Sequence, residues 1–138
     1  MTTETVEFEV PLPPASLRSN ARAHWRKRKA DADAYSEGVA WSMMSVRRDG
    51  CPWAAARVTY TWRYCGNKPD VSNVAGSTKH LQDIICMAPK NGAGKDRYYL
   101  GIVENDREIE PVYKLERVAH RDQQGVTIRI ERREEHQG

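Results

Sequence analysis

Hydrophobic and polar positions first alternate with a period of two. Val6, Phe8, Val10 and Leu12 fall on one side and Glu7 and Glu9 on the other, so residues 6–12 predict a half-buried strand. Pro13 and Pro14 then remove donors and restrict φ, which marks a loop. From about Ala21 to Val46 the period lengthens. Trp25, Ala32, Tyr35, Val39, Met43 and Val46 recur at steps of seven, three, four, four and three, which is one apolar stripe along a helix. Gly38 is a weak point within it, and Gly50 and Pro52 are its stop signals.

Alternation then returns. Val58, Tyr60, Trp62 and Tyr64 are expected inward, with Thr59, Thr61 and Arg63 outward. After the turn at 65–69, a second helical stretch reaches about Met87, where Pro89 closes it. Two starts are open: Ser77 as N-cap after Gly76, or a helix running on from Asp70. In both versions Lys79 and Asp83 share a face, while Leu81, Ile84 and Ile85 turn elsewhere. Residues 107–120 predict a third strand, with Pro111 marking an edge or a bulge. The fourth strand follows the turn at 121–125, with Val126, Ile128 and Ile130 on one face. The order βαβαββ describes one α+β domain over residues 1–138, two main helices packed on one face of a small mixed sheet. Residues 1–5 and 132–138 are expected to be flexible ends.

A chain of 138 residues buries about 70% of its unfolded surface and needs no covalent staples. It is 30% charged, yet four Trp and six Tyr favour a folded domain with a modest core over a disordered chain. The three cysteines, Cys51, Cys65 and Cys86, show no zinc spacing and read as reduced thiols, which points to a cytoplasmic protein. The first ten residues lack the basic and apolar regions of a signal peptide, and no apolar run is long enough for a membrane helix. The net charge of +3 matters less than its distribution. Residues 18–29 hold Arg18, Arg22, Arg26, Lys27, Arg28 and Lys29 without one acid, next to His24. That run is either a solvated helix face or a grip for backbone phosphates.

The stretch PKNGAGKD resembles a phosphate-binding loop only superficially. Pro89 replaces the first glycine, Asp96 replaces the Ser/Thr, and a helix rather than a strand precedes it, so no nucleotide cofactor is expected. Nucleophilic catalysis has no motif here. The acidic set remains: Asp70 after the second strand, Asp83 on the second helix, and Asp106 ahead of the third strand beside Glu104 and Glu108. These are either solvated acids at loop ends or, if they converge, oxygen ligands for a cation such as Mg²⁺.

Two stretches resemble the RusA-like family of Holliday junction resolvases. PLPPASLRSNARAHWRKRK is similar to that family's Pro-Pro loop, asparagine and basic helix start. KPDVSN, KHLQD and GIVENDREI resemble its series of an Asp-x-Asp-Asn stretch, a lysine, an aspartate four later, and a closing Asp-Asp before a strand. The resemblance spans roughly residues 6–131 and implies a RusA-like fold and a metal-dependent endodeoxyribonuclease that resolves four-way junctions by paired nicks. It implies Mg²⁺, or Mn²⁺ in its place, as cofactor, and a homodimer in a bacterial or phage-infected cell, because matched nicks in two opposed strands need two centres.

By this resemblance Asp70 and Asp106 are metal ligands with Asp83 as helper, and Lys79 is the catalytic lysine. Asn73 supports the site, and Arg22, His24, Arg26, Lys27 and Lys29 contact DNA. The chain departs from the pattern at Ser72, which stands in place of the second aspartate, and at Asn105, in place of the first of the closing pair. "AGS" also sits as an insertion before Lys79. Two alternatives therefore stand beside the nuclease: a relative that binds branched DNA without cutting, and a structural or assembly protein.

Overall fold

The computed structural model describes residues 5–14, 24–43, 51–86 and 100–133. The chain forms β1 (Thr5–Val10), α1 (Trp25–Met43), β2 (Ala55–Tyr64), α2 (Val71–Ser77), α3 (Lys79–Ile85), β3 (Ile109–Arg117) and β4 (Gly125–Arg133). Short 3₁₀ turns at Asp106–Glu108 and Arg121–Gln123 precede β3 and β4. The expected βαβαββ order is observed, with the second helix in two pieces.

The four strands lie in the order β1-β4-β2-β3. β4 pairs antiparallel with both β1 and β2, while β2 and β3 run parallel, so the sheet is mixed. A parallel neighbour requires a crossover, and α2 and α3 supply it. Register shows why alternation builds a core. Phe8, Ile128, Tyr60 and Tyr113 form one cross-strand row. Val10, Val126, Trp62 and Leu115 form the next, and Val6, Ile130, Val58 and Pro111 a third. All these positions on β1, β2 and β4 are buried. The intervening positions, among them Glu7, Glu9, Arg57, Arg129 and Glu110, form the polar face. There Arg57 lies 3.2 Å from Glu110, and Arg133 pairs with the same carboxylate.

Among the described residues β3 pairs on one side only, and an edge strand accepts Pro111 because a missing N–H is tolerated there. At the start of β4, a Cβ on Gly125 would lie 2.5 Å from the Arg63 guanidinium and 3.0 Å from the Val10 carbonyl. The arginine end can swing aside, so the tight neighbour is the carbonyl, which a larger residue would have to displace by a few tenths of an ångström.

The helices meet the apolar face of the sheet. Val74, Ser77, Thr78, Leu81, Ile84 and Ile85 are buried at helical spacing, and the stripe keeps its phase through Thr78. Backbone bonds Thr78 N to Val74 O and Gln82 N to Thr78 O also carry the helical ladder across the junction, so α2 and α3 act as one rod. The rod starts at Asp70; Ser77 is no N-cap and instead donates its hydroxyl to the Asn73 carbonyl at 2.8 Å.

On α1 the buried positions are Ala32, Tyr35, Ser36, Val39 and Ala40. The Tyr35 hydroxyl donates to the Pro11 carbonyl at 2.7 Å and ties the helix to the end of β1. Trp25, expected on the same stripe, is 64% exposed. Every residue from His24 to Ala30 is exposed, because no element among the described residues covers the first two turns of the helix. The expected helix ends at Ala21 and Val46, the closing Pro89 and the PKNGAGKD stretch at 89–96 lie outside the described residues. Among the described residues, no helix is long and apolar enough to cross a membrane.

Candidate functional site

Asp70 follows the five-residue turn after β2 and forms the N-cap of α2, with extended backbone angles of φ −74° and ψ 135°. Its Oδ1 accepts from the Ser72 amide and from the Ser72 hydroxyl, both at 3.0 Å. The residue standing where the family pattern has a second aspartate therefore engages the first. Asn73, one residue on, lines an open cavity of about 300 Å³ together with Trp62, Tyr64, Cys65, Pro69 and Gln124. This fixes the start of α2 beside the C-terminal end of β2.

The rod then runs back along the sheet. At its far end Cys86 bridges Val103, and the amide of Ile102 donates to the Ile85 carbonyl at 2.9 Å. Glu104 N in turn donates to Trp53 O, just ahead of β2. Asp106 begins the 3₁₀ turn two residues later, capped by Asn105, whose side chain accepts from Arg107 N at 3.0 Å. Asp106 thus sits near the N-terminal ends of β2 and β3.

Asp83 belongs to the same end as Asp106. The Cys86 thiol is pushed up to about 12, first by burial and then by the negative charges of Asp106 and Asp83. Both carboxylates are therefore within electrostatic reach of one sulfur. Tyr60 on β2 is fully buried. Its hydroxyl pKa is raised well above the ordinary 10.0, by burial first and then by Tyr113, Cys86 and Asp83. Its oxygen has no hydrogen-bond partner among the described residues. Lys79 is exposed at the first position of α3, one helical turn before Asp83, so these two side chains share a face.

The expected acidic set therefore divides. Asp83 and Asp106 lie at the same end of the sheet, with Lys79 one helical turn before Asp83. Asp70 does not join them within one chain. Thirteen residues of helical rise separate Asp70 from Asp83, roughly 20 Å. The parallel register, Ala56 with Ile109 and Tyr64 with Arg117, puts Asp70 and Asp106 near opposite ends of the sheet. Spacing along the sequence could not show this, because the separation depends on the direction of the crossover. Among the described residues, no group of three or more His, Cys, Asp or Glu side chains is placed to hold a metal ion. Two carboxylates are nevertheless a donor set that suits Mg²⁺, which commonly takes one or two plus substrate phosphate.

The basic segment begins α1. Arg26, Lys27, Arg28 and Lys29 are all exposed. Lys27 is shared with Asp31 at 3.3 Å, a pair one turn apart. His24 accepts the Arg26 amide on Nδ1 at 3.1 Å, so it helps start the helix, and its ring stacks on Trp25 at 5.7 Å. Arg22 lies outside the described residues. The sequence reading missed Trp25 as a surface residue. Its signal was the basic run itself, since a helix turn of cations on neighbouring positions has little apolar surface to pack under.

Comparison with family models, with curated proteins and with solved structures finds no match to this chain.

Proposed function

We propose that this chain is a Mg²⁺-dependent endonuclease that cuts branched DNA as a homodimer, as its resemblance to the RusA-like resolvases implies. The observation that carries the reading is that Asp83 and Asp106, from segments separated by the long connection between α3 and β3, lie at the same end of the sheet, where the charge of each bears on the Cys86 thiol. The α+β order and the mixed sheet agree with the fold that the resemblance implies.

In this reading Asp83 and Asp106 hold the metal. When bound, the ion polarises a phosphate oxygen and lowers the pKa of a coordinated water. Lys79, on the same helix face as Asp83, offsets negative charge that builds on the phosphoryl group. Arg26, Lys27 and Lys29 bind backbone phosphates without regard to sequence, and His24 holds the start of their helix in shape. Asp70 is too far from this centre in its own chain and serves there as the cap of α2, with Asn73 in the first turn beside it.

The test is nicking of a synthetic four-way junction with and without Mg²⁺ or Mn²⁺. Metal-dependent paired nicks, lost in Asp106→Asn and Lys79→Ala while both variants still bind, support the reading. Full nicking in Asp106→Asn would falsify it.

A second reading is favoured by one observation. The Asp70 carboxylate is already engaged by Ser72, so the chain could bind junctions and leave them uncut. It predicts junction binding without nicking, and gain of nicking in Ser72→Asp. A structural or assembly protein predicts no salt-sensitive junction binding at all.

A further inference from the structure

Trp25 is 64% exposed on a helix whose next four residues are cationic. A solvent-facing indole keeps a large apolar surface in water, and Trp25 is not part of the packed core. The ring is also organised. The Arg26 guanidinium lies 5.3 Å from its centroid, and the His24 imidazole stacks against it with an interplanar angle of 30°. Even with both neighbours in place, nearly two thirds of the residue remains open.

A flat π surface beside the Arg26 guanidinium matches a partner that is itself flat and anionic. An unpaired nucleotide has both properties: its base stacks on an aromatic ring, and its phosphate pairs with the adjacent charges. A paired duplex offers the phosphates but keeps its base faces covered. Trp41 sharpens the argument. It is equally exposed, at 65%, and lies on the same helix, but it has Glu37 one turn before it and no cation among the described residues beside it in sequence.

We propose that Trp25, with His24 and Arg26, is a stacking platform for an unpaired nucleotide at the branch point of the DNA. The proposal rests on the reading that the chain binds branched DNA. It adds the feature by which a branch is told from a duplex.

The test uses the full chain and two probes: a four-way junction with unpaired thymidines at the crossover, and a fully paired linear duplex of the same length. Stacking on an aromatic ring is worth enough that Trp25→Ala should weaken junction binding about ten- to hundred-fold. Duplex binding should be unchanged, Trp25→Phe should retain most of the affinity, and Trp41→Ala should match the unsubstituted chain. Circular dichroism confirms that each variant is folded. If the unsubstituted chain binds the junction and Trp25→Ala binds it equally well, the platform is overturned and the DNA-binding reading stands. If the unsubstituted chain binds neither probe, both fall. If Trp25→Ala changes the self-association of the protein and not its junction affinity, the indole is a contact between copies and the platform is overturned.

Discussion

Asp70 accepts two hydrogen bonds from Ser72 on a single oxygen, one from the amide and one from the hydroxyl, each 3.0 Å long. The first starts α2. The second ties up the side chain at the position where the family pattern has another carboxylate. A residue read from the sequence as a metal ligand is therefore, within one chain, a helix cap.

The cap separates two effects of substitution. Asp70→Ala should lower stability by about 1 kcal/mol, because an orphan amide at the helix start loses its acceptor. Asp70→Asn keeps an acceptor oxygen and should unfold within a few tenths of that of the parent chain. Urea denaturation of the two variants checks this, and a nicking assay on the folded Asp70→Asn protein then reports on chemistry alone.

A homodimer that set Asp70 of one protomer beside Asp106 of the other would have a distinctive signature. Asp70→Asn and Asp106→Asn should each be inactive alone. Mixed and allowed to exchange subunits, they form heterodimers in which one composite centre has both carboxylates. Such mixtures should recover single-strand nicking of the junction. Recovery is not expected if Asp70 and Asp106 act together inside one chain.

Phosphate contact by the α1 cations should appear in the salt dependence of binding. Each phosphate contact removed should reduce the slope of log K against log salt by about 0.9. Lys29→Ala should show this reduction. Lys27→Ala should show less, because Asp31 already shares its charge.

Ile128 lies in the middle cross-strand row, fully buried between Phe8 on β1 and Tyr60 on β2. Truncation to alanine should cost about 2–5 kcal/mol in thermal or chemical unfolding. Arg129→Ala, one residue along and on the exposed face, should stay within about 0.5 kcal/mol.

Alkaline pH should destabilise the fold through two tyrosines. Burial raises the Tyr35 and Tyr60 hydroxyls above the ordinary 10.0. The unfolded chain therefore releases these protons at a pH where the folded chain still holds them. Stability is fully present below about pH 10 and falls as the pH rises beyond it. An ultraviolet titration should show two of the six tyrosines ionising only with unfolding. Tyr60→Phe removes a buried hydroxyl without a partner among the described residues, so it should raise the melting temperature and flatten this alkaline loss.

The secondary-structure order and the inward face of β1, β2 and β4 were legible in the residues, since a period of two separates buried from solvated positions without reference to any other segment. So was the pairing of Lys79 with Asp83 on one face, which a single helical turn decides. Pro111 narrowed β3 to an edge or a bulge, because an absent N–H disfavours a regular central strand, and the strand order decided for the edge. Trp25 was misplaced for a reason of reach: helical phase says which side a residue is on, and not whether anything stands opposite it.

The grouping of the acids belonged to the tertiary structure alone. Linear spacing leaves the direction of the crossover between β2 and β3 undetermined, and that direction carries Asp83 toward Asp106 while leaving Asp70 behind. Local periodicity arises from backbone geometry that each segment possesses by itself. The distance between carboxylates on different segments arises from strand order and packing, which no segment possesses until the others are in place.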